Sequence, residues 1–266
     1  RHPAGVAGGA GLGEHGVPRP VRAGAHLPRT RRNHCAGQHL GCGPGEVTRL
    51  LADRWPSTTV YGLDNSPQML KKAAEETSRV QWIEADIEGW TPTEAPDLIY
   101  SNATLHWVPD HQALFPCLLG FMRPGGCLAV QMPLSWDQPS HRLMRTTLAE
   151  GGPHGSPLGS AELRESVGRR WVEDAGYYYN LLASAAGSLD IWETEYLQVL
   201  EGEDPVLEWV KGTGLRPIPN SLDAAERDVF LTFLAAYAQR LREAYPMRPD
   251  GRTLYPFRRL FIVATT

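Results

Sequence analysis

Leu40-Gly-Cys-Gly-Pro-Gly45 stands directly before Glu46 to Trp55, a stretch with helical periodicity. Glycines at 41, 43 and 45 let a ligand lie against the backbone, and the helix that follows offers free N–H groups in its first turn. The spacing is G-x-G-x-G, whereas the dinucleotide fingerprint is G-x-G-x-x-G. Asp64 closes Tyr61-Gly-Leu-Asp64, where a carboxylate can accept hydrogen bonds from both hydroxyls of a ribose. Asp86 ends the next apolar stretch and is placed to accept from an adenine amino group while Ile87 packs on the ring. Three strand ends would then converge on one crevice.

The elements that must hold these residues follow from periodicity. Val47, Leu50, Leu51 and Trp55 share a helical face, and Thr58 to Leu63 reads as a short buried strand. Ser66 is a good N-cap with Pro67 at the first helical position, and Val80 to Ile83 reads as the next strand. Asp97 to Tyr100 is a further strand, Leu114 to Met122 a helix, and Gly125-Gly126 turns into the strand Cys127 to Val130. The alternation predicts an α/β, mostly parallel sheet with helices on both faces, and the looser pattern after Pro133 a small, mainly helical cap. Cap insertions are expected at about 134–187 and 200–251, with a helix from His141 to Glu150 and helical stretches near 161–175. Ser188 to Leu200 reads as a long strand, Asp223 to Tyr245 as a helix, and Leu260 to Ala264 as a closing strand that Arg258 and Arg259 brace.

Together the glycine loop, Gly62-Leu-Asp64, Ala85-Asp86 and the Pro124-Gly-Gly126 turn resemble the class I S-adenosylmethionine methyltransferases. Four further stretches resemble the trans-aconitate 2-methyltransferases: Ser101-Asn-Ala-Thr-Leu-His-Trp-Val-Pro-Asp-His111, Val130-Gln-Met-Pro133, Glu208-Trp-Val-Lys-Gly-Thr-Gly-Leu-Arg-Pro217, and Asp250-Gly-Arg through Phe257-Arg-Arg-Leu-Phe261. The resemblance implies a Rossmann-like, doubly wound sheet of seven mostly parallel strands, and methyl transfer from S-adenosylmethionine to one carboxylate of trans-aconitate, giving a monomethyl ester and S-adenosylhomocysteine. Candidate cofactor contacts are Gly41, Cys42, Gly43, Gly45, Asp64, Asn65, Met69, Asp86, Ile87, Asn102 and Leu105.

A carboxylate with a pKa near 4 is already an anion at pH 7, so its esterification needs alignment and no catalytic base. A tricarboxylate asks for cations, preferably forked guanidinium groups. Lys211 and Arg216, flanking Gly212-Thr-Gly214, are the first choice, with Thr213 and the turn's N–H groups assisting. Trp107, Gln131, Trp136, Tyr177 and Tyr178 are read as pocket walls or donors, each with a purely structural role as its alternative. His106 and His111 either hydrogen-bond the acceptor or serve a turn or cap. Other readings stay open: a different acid or a thioester as acceptor, a methyltransferase-like protein that binds without catalysing, and a nicotinamide-dependent oxidoreductase, which the glycine spacing disfavours.

With 21% charged residues and a net charge of -4, nothing in the 266-residue chain recruits nucleic acid or an anionic membrane surface. Cys35, Cys42, Cys117 and Cys127 form no C-x-x-C pair, no metal site is expected, and no apolar run reaches membrane-spanning length. A cytoplasmic enzyme acting on a small molecule is therefore expected; its oligomeric state is not set by the sequence, a monomer being favoured. Residues 1–39 differ from the rest, with six Arg, five His, eight Gly and a single acid, Glu14. Such a segment is expected to be a disordered basic tail preceding a domain that begins at residue 40. The abrupt change at Leu40 and the lack of an initiating Met give a sharper expectation, that this stretch is not in the native frame. An intact upstream frame coding for these residues would end that reading. His34-Cys-Ala-Gly-Gln-His39 occupies the place where the resembled family has an apolar strand ending in an acid, so a weak central strand is expected.

Overall fold

A computed structural model of the chain describes residues 35–212, 214–215 and 227–266. Strand β1 (Cys35–Leu40) leads through a glycine turn into helix α1 (Glu46–Arg54) and strand β2 (Thr58–Asp64). Ser66 caps α2 (Pro67–Glu75) by accepting from the Met69 amide, and β3 (Gln81–Glu84) follows. Next come β4 (Leu98–Asn102), α3 (His111–Gly120) and β5 (Cys127–Pro133). The cap is built from α4 (Pro139–Glu150) and α5 (Ala161–Gly168); α6 (Ala175–Leu182) returns to the sheet's core, and after strand β6 (Ser188–Leu200) the cap is completed by α7 (Pro205–Lys211) and α8 (Arg227–Ala244). Strand β7 (Thr253–Thr265) closes a seven-stranded sheet of order β3-β2-β1-β4-β5-β7-β6. The first five strands run parallel, and β7 lies antiparallel to both β5 and β6.

The expectation that the domain begins at residue 40 is corrected by β1, whose six residues are all buried at the centre of the sheet. Side-chain propensity for β structure is weak in Cys-Ala-Gly-Gln-His-Leu, but ladder pairing on both edges supplies what the side chains lack. Cys35 through Leu40 pair with Thr58 through Leu63, and Gly37 through Leu40 pair with Leu98 through Ser101. The Ala36 amide also donates to Asp97 Oδ2 at 2.9 Å. Because β1 has β2 on one side and β4 on the other, the crevice of a doubly wound sheet opens at the C-terminal ends of β1 and β4.

Two further expectations shift. The buried face of α1 is Thr48 and Ala52, with Leu50 turned to solvent, so small residues face the sheet where bulk was expected. The closing strand is 13 residues long instead of five, since it serves two cores. Its C-terminal half sends Leu260, Ile262 and Ala264 into the sheet's core beside Phe115, Leu118 and Tyr178. Its N-terminal half sends Tyr255 into a second core formed by Met144, Leu163, Val210, Phe233 and Tyr237. The long antiparallel β6–β7 pair thus joins cap to sheet. Among the described residues no helix is long and apolar enough to cross a membrane.

Candidate active site

The glycine turn is held in a shape that only glycine adopts without strain. Gly41, Gly43 and Gly45 have φ of 69°, 54° and 85°. The Gly41 and Cys42 amides donate to the Leu63 carbonyl at 2.8 and 2.9 Å, folding the turn back over β2. Gly43 faces open space, so a ligand can reach its backbone. Gly45 gives α1 no side-chain cap, which leaves the helix's first N–H groups for another acceptor.

Hydrogen bonds chain the acidic residues to that turn. Asp64 Oδ2 accepts from the Gly43 amide at 2.8 Å and Oδ1 from the Ser66 amide at 2.9 Å. Asn65 Nδ2 donates to Asp86 Oδ2 at 3.2 Å, and Asp86 Oδ1 takes the Glu88 amide at 2.9 Å. Each carboxylate keeps lone pairs beyond these bonds. Gly43, Asp64, Asn65 and Asp86 therefore form one row along the C-terminal ends of β1, β2 and β3, with Ile87 half-buried beside it. Glycine backbone, an open helix start and two carboxylates suit a nucleoside bearing an amino-acid tail.

The segment after β4 links this cradle to a second space. Thr104 Oγ1 donates to the Gly41 carbonyl at 3.3 Å, while Ala103 takes a left-handed φ of 53° and donates its amide to the Gln131 carbonyl. Strained backbone at such a junction is typical of sites that must present groups in a fixed way. Ala103, His106 and Trp107 then line a cavity of about 330 Å³ beneath the cap. Arg145, Arg169 and Arg259 supply its charge, and no acidic residue is among its described lining. Arg145 lies 3.7 Å over the Trp136 ring and donates to the Trp136 carbonyl at 2.9 Å. Arg169 stacks on Trp171 at 4.5 Å. Arg259 Nη1 donates to Gln131 Oε1 at 2.8 Å, and burial pulls this guanidinium's pKa below its ordinary value.

A methyltransferase-domain family matches residues 39–126. The trans-aconitate 2-methyltransferase of Azoarcus sp. (strain BH72) is 46% identical over 225 residues, covering 85% of this chain and 85% of that protein. That of Streptomyces avermitilis is 45% identical over 246 residues, covering 90% and 88%. The chain belongs to the trans-aconitate 2-methyltransferase family. Its fold is also that of a phosphoethanolamine N-methyltransferase from Haemonchus contortus solved with S-adenosylhomocysteine, at 14% identity and a TM-score of 0.50 over 90% of this chain and 50% of that one.

In this member of the trans-aconitate 2-methyltransferase family several expected contacts lie elsewhere. Leu105, expected at the cofactor, is fully buried in the main core, because the 3-10 turn after Thr104 directs it inward. Cys42 is buried too; desolvation and the Asp64 charge push its thiol up to about 12, so its part in the cradle is the backbone. Met69 is half-buried in the first turn of α2, and Asn102 is half-buried at the end of β4. Tyr178 does not wall the cavity: it is fully buried and its hydroxyl meets His111 Nδ1 at 2.7 Å. His111 Nε2 lies 2.9 Å from the Leu105 carbonyl and must donate, so Nδ1 accepts and the imidazole is a neutral structural link. Tyr177 packs on the same core, a placement hidden because the helix α6 was not anticipated. Lys211 pairs with Glu208 at 2.6 Å, one helical turn back, and is absent from the cavity wall. Thr213 and Arg216 lie outside the described residues. His106, Trp107 and Trp136 do line the cavity, and Gln131 holds one of its arginines.

Arg259 was read as a brace, yet a strand sends consecutive side chains to opposite faces, so one of Arg258 and Arg259 had to turn inward. Arg258 takes the outward position and pairs with Glu193. His141 and Arg145 were missed although their i, i+4 spacing on a helix places both on one face. The His141 ring also explains a glycine: a side chain on Gly214 would begin 3.0 Å from its Nε2.

Burial makes this fold acid-sensitive. Desolvation lowers His39 to about 3, and desolvation with the Arg145 charge lowers His141 to about 4. Both are neutral when folded but take up a proton near pH 6.5 when unfolded, so stability is full above that pH and is lost as pH falls toward the folded values. Each histidine contributes a slope of about 1.4 kcal/mol per pH unit in that window. Melting temperatures measured from pH 7.5 down to 5 should fall steadily, and His39→Gln should flatten the curve; a pH-independent Tm would contradict the burial.

Proposed function

We propose that this chain transfers a methyl group from S-adenosylmethionine to a carboxylate of trans-aconitate, releasing the monomethyl ester and S-adenosylhomocysteine. The carrying observation is a cavity with three arginines and no described acid, opening beside a nucleoside cradle and sharing the 102–107 segment with it. Relatives 45–46% identical are named for that reaction.

When bound, S-adenosylmethionine supplies a methyl group on a sulfonium whose sulfur leaves as a neutral thioether. Gly41, Gly43 and Gly45 admit it to the backbone, Asp64 takes the ribose hydroxyls, and Asn65, Asp86 and Ile87 frame the base. A carboxylate lone pair of the acceptor forms the new O–C bond as the S–C bond breaks, so no proton moves and no base is required. What the chain contributes is position: holding reactants in line is worth about 7–11 kcal/mol. Trp107 and Trp136 wall the cavity in which Arg145, Arg169 and Arg259 make charge-assisted contacts to the anion. The cap, at about 134–187 and 200–251, is the acceptor-binding part, with Thr213 and Arg216 as further anion contacts beside Gly212 and Gly214 of the cavity wall. We read the enzyme as a cytoplasmic monomer with no nucleic-acid or membrane partner, in keeping with its net charge of -4.

Labelled-methyl transfer should favour trans-aconitate over citrate, cis-aconitate and isocitrate, and Arg145→Ala should raise the acceptor KM by about 10- to 100-fold, as loss of one charge-assisted contact does. The KM for S-adenosylmethionine should hold. Equal labelling of all four acids would replace the acceptor; no labelling with S-adenosylhomocysteine still bound would leave a binding protein.

A further inference from the structure

Arg259 is a half-buried cation with no acidic partner among the described residues. Its neighbour Arg258 has Glu193, but Arg259 has no ion pair among the described residues. It sits between the rings of Phe257 at 4.8 Å and Tyr196 at 5.8 Å. Aromatic faces and one neutral amide compensate only part of the cost of desolvating a guanidinium. Its geometry is nonetheless fixed: the backbone is in a ladder opposite Pro133 on one side and Thr194 on the other, and Gln131, itself 4% exposed, holds Nη1. Nε is enclosed without a partner, as is Gln131 Nε2. Nη2 remains, neither bonded nor enclosed among the described residues, for the cavity that Arg259 lines. A costly, rigid, unneutralised cation on a cavity wall is a place made for an anion.

The reaction decides which anion. As the new O–C bond forms, the attacking carboxylate loses its negative charge. A strong cation on that oxygen would stabilise the ground state more than the transition state and slow the step. A carboxylate that does not react keeps its charge throughout, so pairing with it costs nothing in rate. We propose that Arg259, oriented by Gln131, anchors a carboxylate of the acceptor that is not methylated, which makes a second carboxylate a condition of turnover. This rests on the carboxyl-methylation reading above. The reacting carboxylate is then the one turned toward the cradle, beside His106 and Trp107 of the cavity wall.

The test uses the full chain with S-adenosylhomocysteine present, so that binding is read without turnover, followed by kinetics with S-adenosylmethionine. Trans-aconitate should raise the melting temperature of the parent protein by several degrees. Arg259→Met should leave the resting melting temperature unchanged or higher, because it removes an uncompensated charge, and should abolish the trans-aconitate shift. In turnover it should raise the trans-aconitate KM by about 100-fold or more with the S-adenosylmethionine KM unchanged, and Arg259→Lys should recover part of that loss. Crotonate, a monocarboxylate, should be at least about 100-fold poorer than trans-aconitate for the parent protein, a gap that Arg259→Met largely closes. Should Arg259→Met fail to fold, Gln131→Leu gives the same reading at smaller scale, about a 10-fold rise in the acceptor KM alone.

A lower resting Tm with both KM values raised together would make Arg259 a brace of β7 and overturn the proposal. So would methyl transfer by Arg259→Met with its preference for trans-aconitate over crotonate intact. An Arg259-dependent shift with trans-aconitate but no methyl transfer would sustain the anchor and reject the reaction.

Discussion

Gly41→Ala is expected to be the most damaging glycine-to-alanine change among the described residues, costing about 3–5 kcal/mol, a large part of the ~5–15 kcal/mol by which domains of this kind are stable. Two penalties add. The new Cβ would lie 2.1 Å from Thr104 Cγ2, 2.2 Å from its Oγ1 and 2.5 Å from its Cβ, distances no packing tolerates. A φ of 69° would cost a further 1–2 kcal/mol, roughly, for any residue with a side chain. Because Thr104 follows the strained Ala103, relief by moving that segment would drag the cavity wall with it. The denaturation midpoint should drop sharply and S-adenosylhomocysteine binding, followed by calorimetry, should fail. Pairing the change with Thr104→Gly should restore the steric share and leave the backbone share, a coupling that a double-mutant cycle reads directly. A Gly41→Ala protein within about 0.5 kcal/mol of the parent would show that the turn is not the tight device described here.

Asp64→Ala is expected to weaken S-adenosylhomocysteine by at least about 100-fold, the equivalent of about 2.7 kcal/mol. Its carboxylate does two jobs. One is internal: through Gly43 and Ser66 it ties the glycine turn to the start of α2. The other is toward the ligand, since the lone pairs left over are those that would take ribose hydroxyls, and hydrogen bonds to a charged group are worth about 1.5–3 kcal/mol each. Asp64→Asn separates the two, because an amide can satisfy one N–H acceptor position but presents its NH2 to the other. Calorimetry should give it an intermediate loss, near 10-fold. Unchanged affinity in Asp64→Ala would leave the residue as a loop anchor alone.

Most of the cradle was legible in the chain because its parts are local. Glycines in a turn, an acid at the end of a strand and a cap before a helix depend on residues a few positions apart, and Gly43, Asp64 and Asp86 fall into one row as their spacing implied. The cavity was legible only in part. Trp107, Trp136 and His106 line it, but Tyr178 is core and Lys211 is spent on Glu208. A tyrosine or lysine carries no mark of whether it meets ligand, core or a carboxylate one turn away. Strand β1 shows the converse. Its composition argued for a weak element, yet two neighbouring strands pair with it along most of its length.

By itself, then, the order of residues determined the alternation of strands and helices, the glycine turn and the acids that follow it, since steric and hydrogen-bonding rules acting over short distances are written in neighbouring side chains. Only the tertiary structure decided which cations line the cavity. Arg145, Arg169 and Arg259 come from a cap helix, the segment beyond another and the last strand, and they meet only because β7 carries its N-terminal half into the cap. Whether a charge finds a counterion depends on what folds against it, and that is a property of three dimensions.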